Sequence, residues 1–392
     1  MTGGAPHEFA FWQKVCDDFS EKSGVTVTLI RSASQTEQRK QQITVGLRGK
    51  ERNPDVFLMD IAWIGQLAWS GWLEPLDKHG ISAEPYFKNI IELADMHNGS
   101  LIGLPVFVDA GLLYYRKDLL EKHGYSAPPA TWNELVEMAT KIQEIEKKAN
   151  PDFWGFVWQG AQYEGLVCNA LEYFTSAGGG YFDNNSKPII SSAENARALR
   201  FMSDLIHTYK ISPPNTFTDM KEEESRMPFQ NGNALFERNW PYALNPHSED
   251  GSAVQGKFDF TVLPHFEGQK SAAALGGWHA GVSKFSDCTK DAAAFAQYLA
   301  SYEIQKRMAL TLGHNPGRPD VFDDEEVKKT PVGGFKDMFY AAIPRPPVPY
   351  YSQVSNVLQK YINAAIAAKM PAEQALEQAQ KEIEKITSDY KQ

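Results

Sequence analysis

Residues 25–60 constrain the fold more than any other part of the sequence. Residues 25–30 alternate as a β-strand does, and a helical pattern follows over about 36–49. Residues 54–60 then form a short apolar run bounded by turn residues, which is typical of a strand buried on both faces. The order strand, helix, strand predicts a parallel crossover unit and therefore an α/β fold.

This unit also predicts where a ligand would bind. In open α/β sheets, ligands bind beyond the carboxyl ends of the strands, and Asp60 lies at such an end. A second long strand pattern, over 101–115, is interrupted by Asp109 and Gly111, which suits a crossing between two lobes. With 392 residues and 42% apolar content, the chain is long enough for two domain-sized cores.

The rest of the chain reads as a mixture of helices and strands. A first helix is predicted after Pro6, and Thr131 with Glu134 forms a capping box for a helix that runs to about Lys148. Further helices are predicted at about 162–177, 193–210, 220–231, 287–300, 302–312 and 350–388, and strands at 154–158, 233–238, 258–263 and 279–284.

Charge and hydropathy exclude several classes of partner. The formal net charge is −10 and the basic residues are scattered, so neither a nucleic acid nor an anionic membrane surface is expected as a partner. No apolar run reaches the ~18 residues of a membrane span. The chain enters a helical pattern almost at once, so the targeting segment of an exported form is expected to be absent from this sequence.

Motifs for catalysis and for cofactors are missing. The sequence contains no nucleophile elbow, Walker loop, zincin helix or dinucleotide fingerprint, and the histidines and cysteines lack metal-ligand spacing. We therefore expect no catalytic residues, no metal and no cofactor. A glycoside hydrolase with two carboxylates remains the alternative, because the separation of two acids cannot be read from a sequence.

The positive signal is a set of aromatic and charged residues at strand ends and glycine turns. Carboxylates and guanidinium groups offer planar, bidentate partners to sugar hydroxyls, and an indole packs on the apolar face of a sugar ring. Each residue also has a structural alternative: Asp60 could cap the next helix, Trp240 and Trp278 could be core, and Arg345 could be a surface charge. The set consists of Glu8, Arg39, Asp60, Asp109, Trp240, Trp278 and Arg345.

Several longer stretches carry a resemblance to a known family. They are Gly3-Gly4-Ala5-Pro6, residues 54–60, 71–76, 109–116 and 236–242, Gly276-Gly277-Trp278-His279 and Asn315-Pro316-Gly317-Arg318. Together they make the chain similar to the solute-binding proteins of ABC sugar importers, and the similarity runs over nearly the whole chain.

This resemblance implies a fold, domain boundaries and a site. The fold would be α/β and periplasmic-binding-protein-like (type II), with two lobes joined by hinge strands and the ligand in the cleft between them. The implied N-terminal lobe is 1–110 plus 279–313, and the C-terminal lobe is 111–278 plus 314–392. The residues that match the family's ligand contacts are Glu8, Arg39, Asp60, Asp109, Trp240, Gly277, Trp278 and Arg345, together with Phe107, which stands where close relatives carry a tyrosine.

The resemblance also implies a function. The protein would bind a disaccharide of the trehalose or maltose type and deliver it to the membrane permease subunits of an ABC transporter, as a monomer and without being an enzyme. It would lie in the periplasm or on the outer face of the cell membrane, with or without a lipid anchor.

One departure from the family lies at the amino end. Relatives have a β-strand before the Gly-Gly-Ala-Pro turn, and only Met1 and Thr2 stand there in this chain. Because that strand is expected to be central in its lobe, its two neighbouring strands are expected to lack a partner.

Overall fold

Strand pairing among the described residues gives two four-stranded sheets, one in each of two units, and a separate two-stranded pair in the first unit. The computed structural model describes residues 1–3, 6–33, 35–183, 185, 187–340 and 342–390; Gly4 and Ala5 of the amino-terminal motif lie outside them. Unit 1 consists of Met1–Asp109, Gly276–Tyr340 and Pro347–Tyr351. Unit 2 consists of Ala110–Leu275, Ala341–Pro346 and Ser352–Gln392.

Helices and strands are mixed along the whole chain. The helices are α1 (Pro6–Ser23), α2 (Thr36–Arg48), α3 (Ile61–Trp69), α4 (Lys88–Ile90), α5 (Lys117–Lys122), α6 (Trp132–Glu146), α7 (Glu164–Thr175), α8 (Ala193–His207), α9 (Glu222–Gln230), α10 (Leu244–Ser248), α11 (Thr289–Leu299), α12 (Tyr302–Leu312), α13 (Pro319–Phe322), α14 (Tyr351–Ile366) and α15 (Ala372–Tyr390). The strands are β1 (Val56–Asp60), β2 (Met96–His97), β3 (Ser100–Leu101), β4 (Leu104–Ala110), β5 (Leu112–Arg116), β6 (Trp154–Val157), β7 (Ala234–Asn239), β8 (Phe258–Thr261), β9 (Leu275–Val282) and β10 (Asn315–Pro316).

The main sheet of unit 1 has the strand order β1-β9-β4-β10. β1 is antiparallel to β9, and β10 is antiparallel to β4. The register places Asp60 opposite Trp278, two candidate residues that lie far apart in the sequence. The apolar residues of β1 are buried, as the continuous apolar run predicts.

The sheet of unit 2 has the strand order β6-β7-β5-β8. β6 is parallel to β7, whereas β5 is antiparallel to both of its neighbours. Helix α6 covers this sheet, and the predicted capping box of Thr131 and Glu134 is present at its start. In the core, the Trp132 ring stacks on Tyr173 with 4.3 Å between ring centroids.

Met1 and Thr2 lie between two extended segments. Thr2 forms a parallel bridge with Arg31, while the Met1 amine donates to the Val56 carbonyl at 2.6 Å. Residues 25–29 form no strand ladder within the part of the chain that the structure describes. The strand predicted there is an extended segment instead. Serine hydroxyls of α1 accept two of its backbone hydrogen bonds: the N–H of Val25 donates to Ser23 Oγ, and the N–H of Val27 donates to Ser20 Oγ.

Two other features differ from the sequence-based expectation. Three segments expected in the second lobe group with unit 1 instead: 276–278, 314–340 and 347–351. For 314–340 the reason is that β10 pairs with β4 and that Phe322 and Phe339 pack on Phe87. The helix predicted over 350–388 is two helices, α14 and α15. The break contains Ala368 with a left-handed φ of 54° and Pro371, whose missing N–H suits the start of a new helix.

The buried amine of Met1 generates a prediction about pH. Burial lowers the pKa of this ammonium from 8.0 to about 6. Between these values the unfolded chain binds more protons than the folded one, so stability should rise by about 1–3 kcal/mol from pH 6 to pH 8 when Met1 is the free amino terminus.

Urea denaturation at the two pH values measures this increment. The control is the same chain with an acetylated Met1, in which all other titrating groups are unchanged. The acetylated chain should lack the increment; an equal rise in both chains would show that the Met1 amine is not its source.

Candidate functional site

The nine candidate residues fall into two groups, one in each unit. Trp240 and Arg345 lie in unit 2, and we call them the unit 2 half-site. The unit 1 half-site consists of Glu8, Arg39, Asp60, Phe107, Asp109, Gly277 and Trp278.

Trp278 is the centre of the unit 1 half-site. Its ring is partly exposed, so it is not an ordinary core tryptophan. The guanidinium carbon of Arg39 lies 4.1 Å from the ring centroid, and the ring of Trp63 is nearly perpendicular to it, with 5.3 Å between the ring centroids. Two neighbours therefore fix the orientation of an indole that still reaches solvent.

Arg39 is buried beside two acidic residues. Its Nε donates to the Ala33 carbonyl at 3.2 Å, and only 5% of the residue is exposed. Burial lowers the pKa of Arg39 to about 10, while the negative charges of Glu8 and Asp60 oppose this shift. The guanidinium therefore remains charged at neutral pH.

Asp60 caps the helix that follows it, which was the structural alternative to a ligand contact. Its Oδ1 accepts a hydrogen bond from the backbone of Ala62 at 2.8 Å and so caps α3. The carboxylate is also partly exposed, and it stands across the β1–β9 register from Trp278. Capping and ligand contact are compatible, because a carboxylate accepts several hydrogen bonds.

Gly277 brings β9 close to β4. Its φ is +132°, and a Cβ at this position would lie 2.6 Å from the Phe107 carbonyl oxygen and 2.9 Å from the Val108 Cα. The Phe107 ring stacks on His314, with 4.2 Å between centroids and 9° between planes. One face of Phe107 is thus covered by protein, and the partly exposed Asp109 follows on the same strand.

Trp240 of unit 2 is held by its backbone and by its ring. Its N–H donates to Asn239 Oδ1 at 2.8 Å, and its carbonyl accepts from the Tyr114 hydroxyl at 3.0 Å. The guanidinium carbon of Arg238 lies 4.1 Å from its ring centroid. The indole is partly exposed, as Trp278 is in unit 1.

Arg345 is buried, so the interpretation as a surface charge is wrong. Only 7% of the residue is exposed, and Nη1 donates to Glu164 Oε1 at 2.9 Å. Ser355 donates to the second oxygen of the same carboxylate. The helix α7, which begins at Glu164, therefore orients this arginine.

Sequence reasoning missed the residues that support the aromatic rings of Trp240 and Phe107. Arg238 precedes Trp240 by two positions within 236–242, one of the stretches that carry the family resemblance, so the sequence did contain a signal for it. Glu172 and His314 gave no signal, because one lies within a helical pattern and the other beside a turn. Among the described residues, no group of three or more His, Cys, Asp or Glu could hold a metal ion, and no helix has the length and apolar character needed to span a membrane.

The close approach at Gly277 predicts a specific steric cost. Gly277→Ala should lower the free energy of unfolding by about 2–4 kcal/mol, because the new methyl group meets backbone atoms of β4. Gly71→Ala is the control: its φ is also positive, at +65°, but nothing lies within 4 Å of the added Cβ. Chemical denaturation of both variants tests this, and equal losses would exclude the contact with β4 as the cause.

The cap at Asp60 can be separated from any contact with ligand. Both Asp60→Ala and Asp60→Asn remove the charge beside Arg39, but only asparagine keeps a good capping side chain, so alanine should destabilise the protein by about 1 kcal/mol more than asparagine. Thermal unfolding compares the two variants. A loss as large for asparagine as for alanine would contradict the capping role.

The known proteins that resemble this chain are solute-binding proteins, and they match it over most of its length. The family model for bacterial extracellular solute-binding proteins matches residues 3–306. A probable ABC transporter-binding protein of Deinococcus radiodurans is 37% identical over 95% of this chain and 90% of its own length. The structure of maltose-bound T. maritima MalE3 is 39% identical, with a TM-score of 0.91 over 98% of both chains. An ABC transporter solute-binding protein of Thermotoga lettingae, bound to α-D-tagatose, is 26% identical, with a TM-score of 0.87 over 98% of this chain and 97% of its own.

These likenesses confirm the predicted fold and the predicted family. The chain has the type II periplasmic-binding-protein fold, in which both units are mixed α/β. The glycoside hydrolase alternative is wrong, because the relatives are solute-binding transport components. The chain therefore belongs to the bacterial extracellular solute-binding proteins and is not an enzyme.

Proposed function

We propose that this protein binds a disaccharide of the trehalose or maltose type and delivers it to the permease of an ABC transporter. The observation that carries the proposal is the pair of partly exposed indoles, Trp240 and Trp278, each with an arginine 4.1 Å from its ring. A relative that is 39% identical binds maltose, and a more distant one binds α-D-tagatose. Both ligands are carbohydrates.

The chemistry of the two half-sites suits a carbohydrate. A guanidinium on one face of an indole leaves the other face for the apolar C–H surface of a sugar ring. Carboxylates and guanidinium groups accept and donate the hydrogen bonds that sugar hydroxyls require. In unit 1 these are Glu8, Arg39, Asp60 and Asp109; in unit 2 the donor is Arg345.

One sugar molecule would contact both half-sites. In this proposal neither half-site alone binds tightly, and the sugar favours a closed state in which both contribute contacts. Arg39 and the carboxylates would bind hydroxyl groups, while Trp240 and Trp278 would contact ring faces. The closed form would then be the one that docks on the permease subunits.

Phe107 is proposed to influence which sugar is preferred. A phenylalanine keeps the aromatic surface that a tyrosine would present but offers no hydroxyl. A sugar that needs a hydrogen bond at this position would lose it. The protein is proposed to act as a monomer in the periplasm or on the outer surface of the membrane, with or without a lipid anchor.

Sugar binding can be tested by thermal shift and calorimetry. The panel is trehalose, maltose, sucrose, palatinose and glucose, and we expect trehalose or maltose to raise the melting temperature. A ligand at 100 times its dissociation constant should add about 2.7 kcal/mol of stability. Trp278→Ala should weaken binding of the best sugar by about 10- to 100-fold, through the loss of ring packing and its exclusion of water.

Trp69→Ala is the matched control for that substitution. Trp69 lies in the same unit at the end of α3 and is 65% exposed, so its loss should leave sugar affinity unchanged. If no sugar in the panel shifts the melting temperature, the proposed function is wrong. If a sugar binds and both tryptophan variants bind it equally well, the assignment of Trp278 is wrong.

A further inference from the structure

Helix α7 carries two glutamates that each hold an arginine of unit 2. Glu164 pairs with Arg345, and Glu172 pairs with Arg238, the residue beside the Trp240 ring. The two glutamates are eight positions apart, which corresponds to about 12 Å along a helix axis. A single rigid element therefore reaches both members of the unit 2 half-site.

The Arg238–Glu172 pair is the more deeply buried of the two. Each side chain is 1% exposed, and the guanidinium meets the carboxylate in a bidentate arrangement, with Nε 2.9 Å from Oε2 and Nη2 bonded to Oε1. Nη1 of the same arginine donates to Gln159 Oε1 at 3.1 Å. With three of its nitrogen atoms engaged, the guanidinium plane is fixed beside Trp240.

Burial of this pair affects both partners. It raises the pKa of the Glu172 carboxyl, an effect that Arg238 opposes, and the carboxylate raises the pKa of Arg238 against the effect of burial. Removing one partner leaves the other charge buried without compensation, which is strongly unfavourable. The arrangement therefore depends on both residues.

Glu172 also contacts the segments through which unit 2 continues into unit 1. Unit 2 begins at Ala110, and a Cβ on the neighbouring Gly111 would overlap with Glu172 and Arg238. The first part of unit 2 ends at Leu275, and the N–H of Ala274 donates to Glu172 Oε1 at 3.1 Å. Ala274 in turn forms a parallel bridge with Ile343, in the short segment that also carries Arg345.

We propose that Glu172 is a positioning residue for the unit 2 half-site. Through Arg238 it sets the orientation of the Trp240 indole, and through Gly111 and Ala274 it holds the connecting segments against the same ion pair. The inference rests on the proposed function in that Trp240 is taken to contact sugar. Neither Glu172 nor Arg238 needs to touch the sugar.

The first experiment measures the environment of Trp240 without sugar. The emission spectrum of the Trp240→Phe variant is subtracted from that of the wild type, which isolates the signal of this indole. The same subtraction is made in a Glu172→Gln background, where the charge is lost and the shape is kept. We expect the Trp240 spectrum to shift, because its neighbouring guanidinium has lost its bidentate partner.

Asp118→Asn is the matched control. Asp118 forms a bidentate ion pair with Arg116 in the same unit, at 2.7 and 2.6 Å, and no ring contact joins that pair to Trp240. Its removal should leave the Trp240 difference spectrum unchanged. If Glu172→Gln also leaves it unchanged, the positioning role is wrong, whatever the protein binds.

The second experiment is a double-mutant cycle on affinity for the best sugar of the panel. Glu172→Gln should weaken binding about tenfold when Trp240 is present and less than about twofold in a Trp240→Ala background. Arg238→Lys, which loses the planar fork but keeps the charge, should behave like Glu172→Gln. Denaturation midpoints of all variants establish that the affinities refer to folded protein.

The outcomes distinguish this inference from the proposed function. If no sugar binds the wild type, the proposed function fails, and the difference spectrum still decides whether Glu172 positions Trp240. If sugar binds and Glu172→Gln costs the same factor with and without Trp240, the role of Glu172 is general stabilisation and the inference is overturned.

Discussion

Antiparallel pairing of β1 with β9 is the constraint on which the unit 1 half-site depends. It joins segments more than 200 residues apart in the sequence and sets Asp60 opposite Trp278. The pairing also requires β9 to pass close to β4, where only a residue without a Cβ fits at position 277. Arg39 then comes from a helix of the same unit and stacks on the ring that the pairing has placed. A change in register by one residue would turn Trp278 to the other face of the sheet and away from Asp60 and Arg39.

In unit 2, a buried ion pair fixes the position of the indole. Trp240 follows β7 directly and would have a freely turning side chain if only its backbone were fixed. Arg238 lies two residues earlier, on β7, and its guanidinium supplies the surface against which the indole lies. Its charge is compensated by Glu172 on α7, so the cost of burying a guanidinium is offset within the fold. Gly111 and Ala274 are the places where the backbone comes close enough to contact that pair.

The sequence was informative where local chemistry decides structure. The capping box at Thr131 and the buried apolar run of β1 are present as predicted, because both depend on residues within a few positions of each other. Residues 25–29 alternate like a strand, yet strand formation depends on neighbours that the alternation does not describe. The grouping of 314–340 with unit 1 depends on aromatic packing between distant segments. The candidate residues could be chosen by residue type, but the pairing of each indole with a particular arginine could not.

The pairing of each indole with an arginine gives the charged residues of the two half-sites different roles. A guanidinium stacked on an indole directs its donors within its own plane, so its contact with the ring and its hydrogen bonds point in different directions. For Arg39 one such bond goes to the Ala33 carbonyl, and for Arg238 three nitrogen atoms bond to Glu172 and Gln159. The arginines beside the rings therefore act first on the orientation of the rings. Under the proposed function, the partly exposed carboxylates of unit 1, and Arg345 in unit 2, would then be the groups that distinguish one pattern of sugar hydroxyls from another.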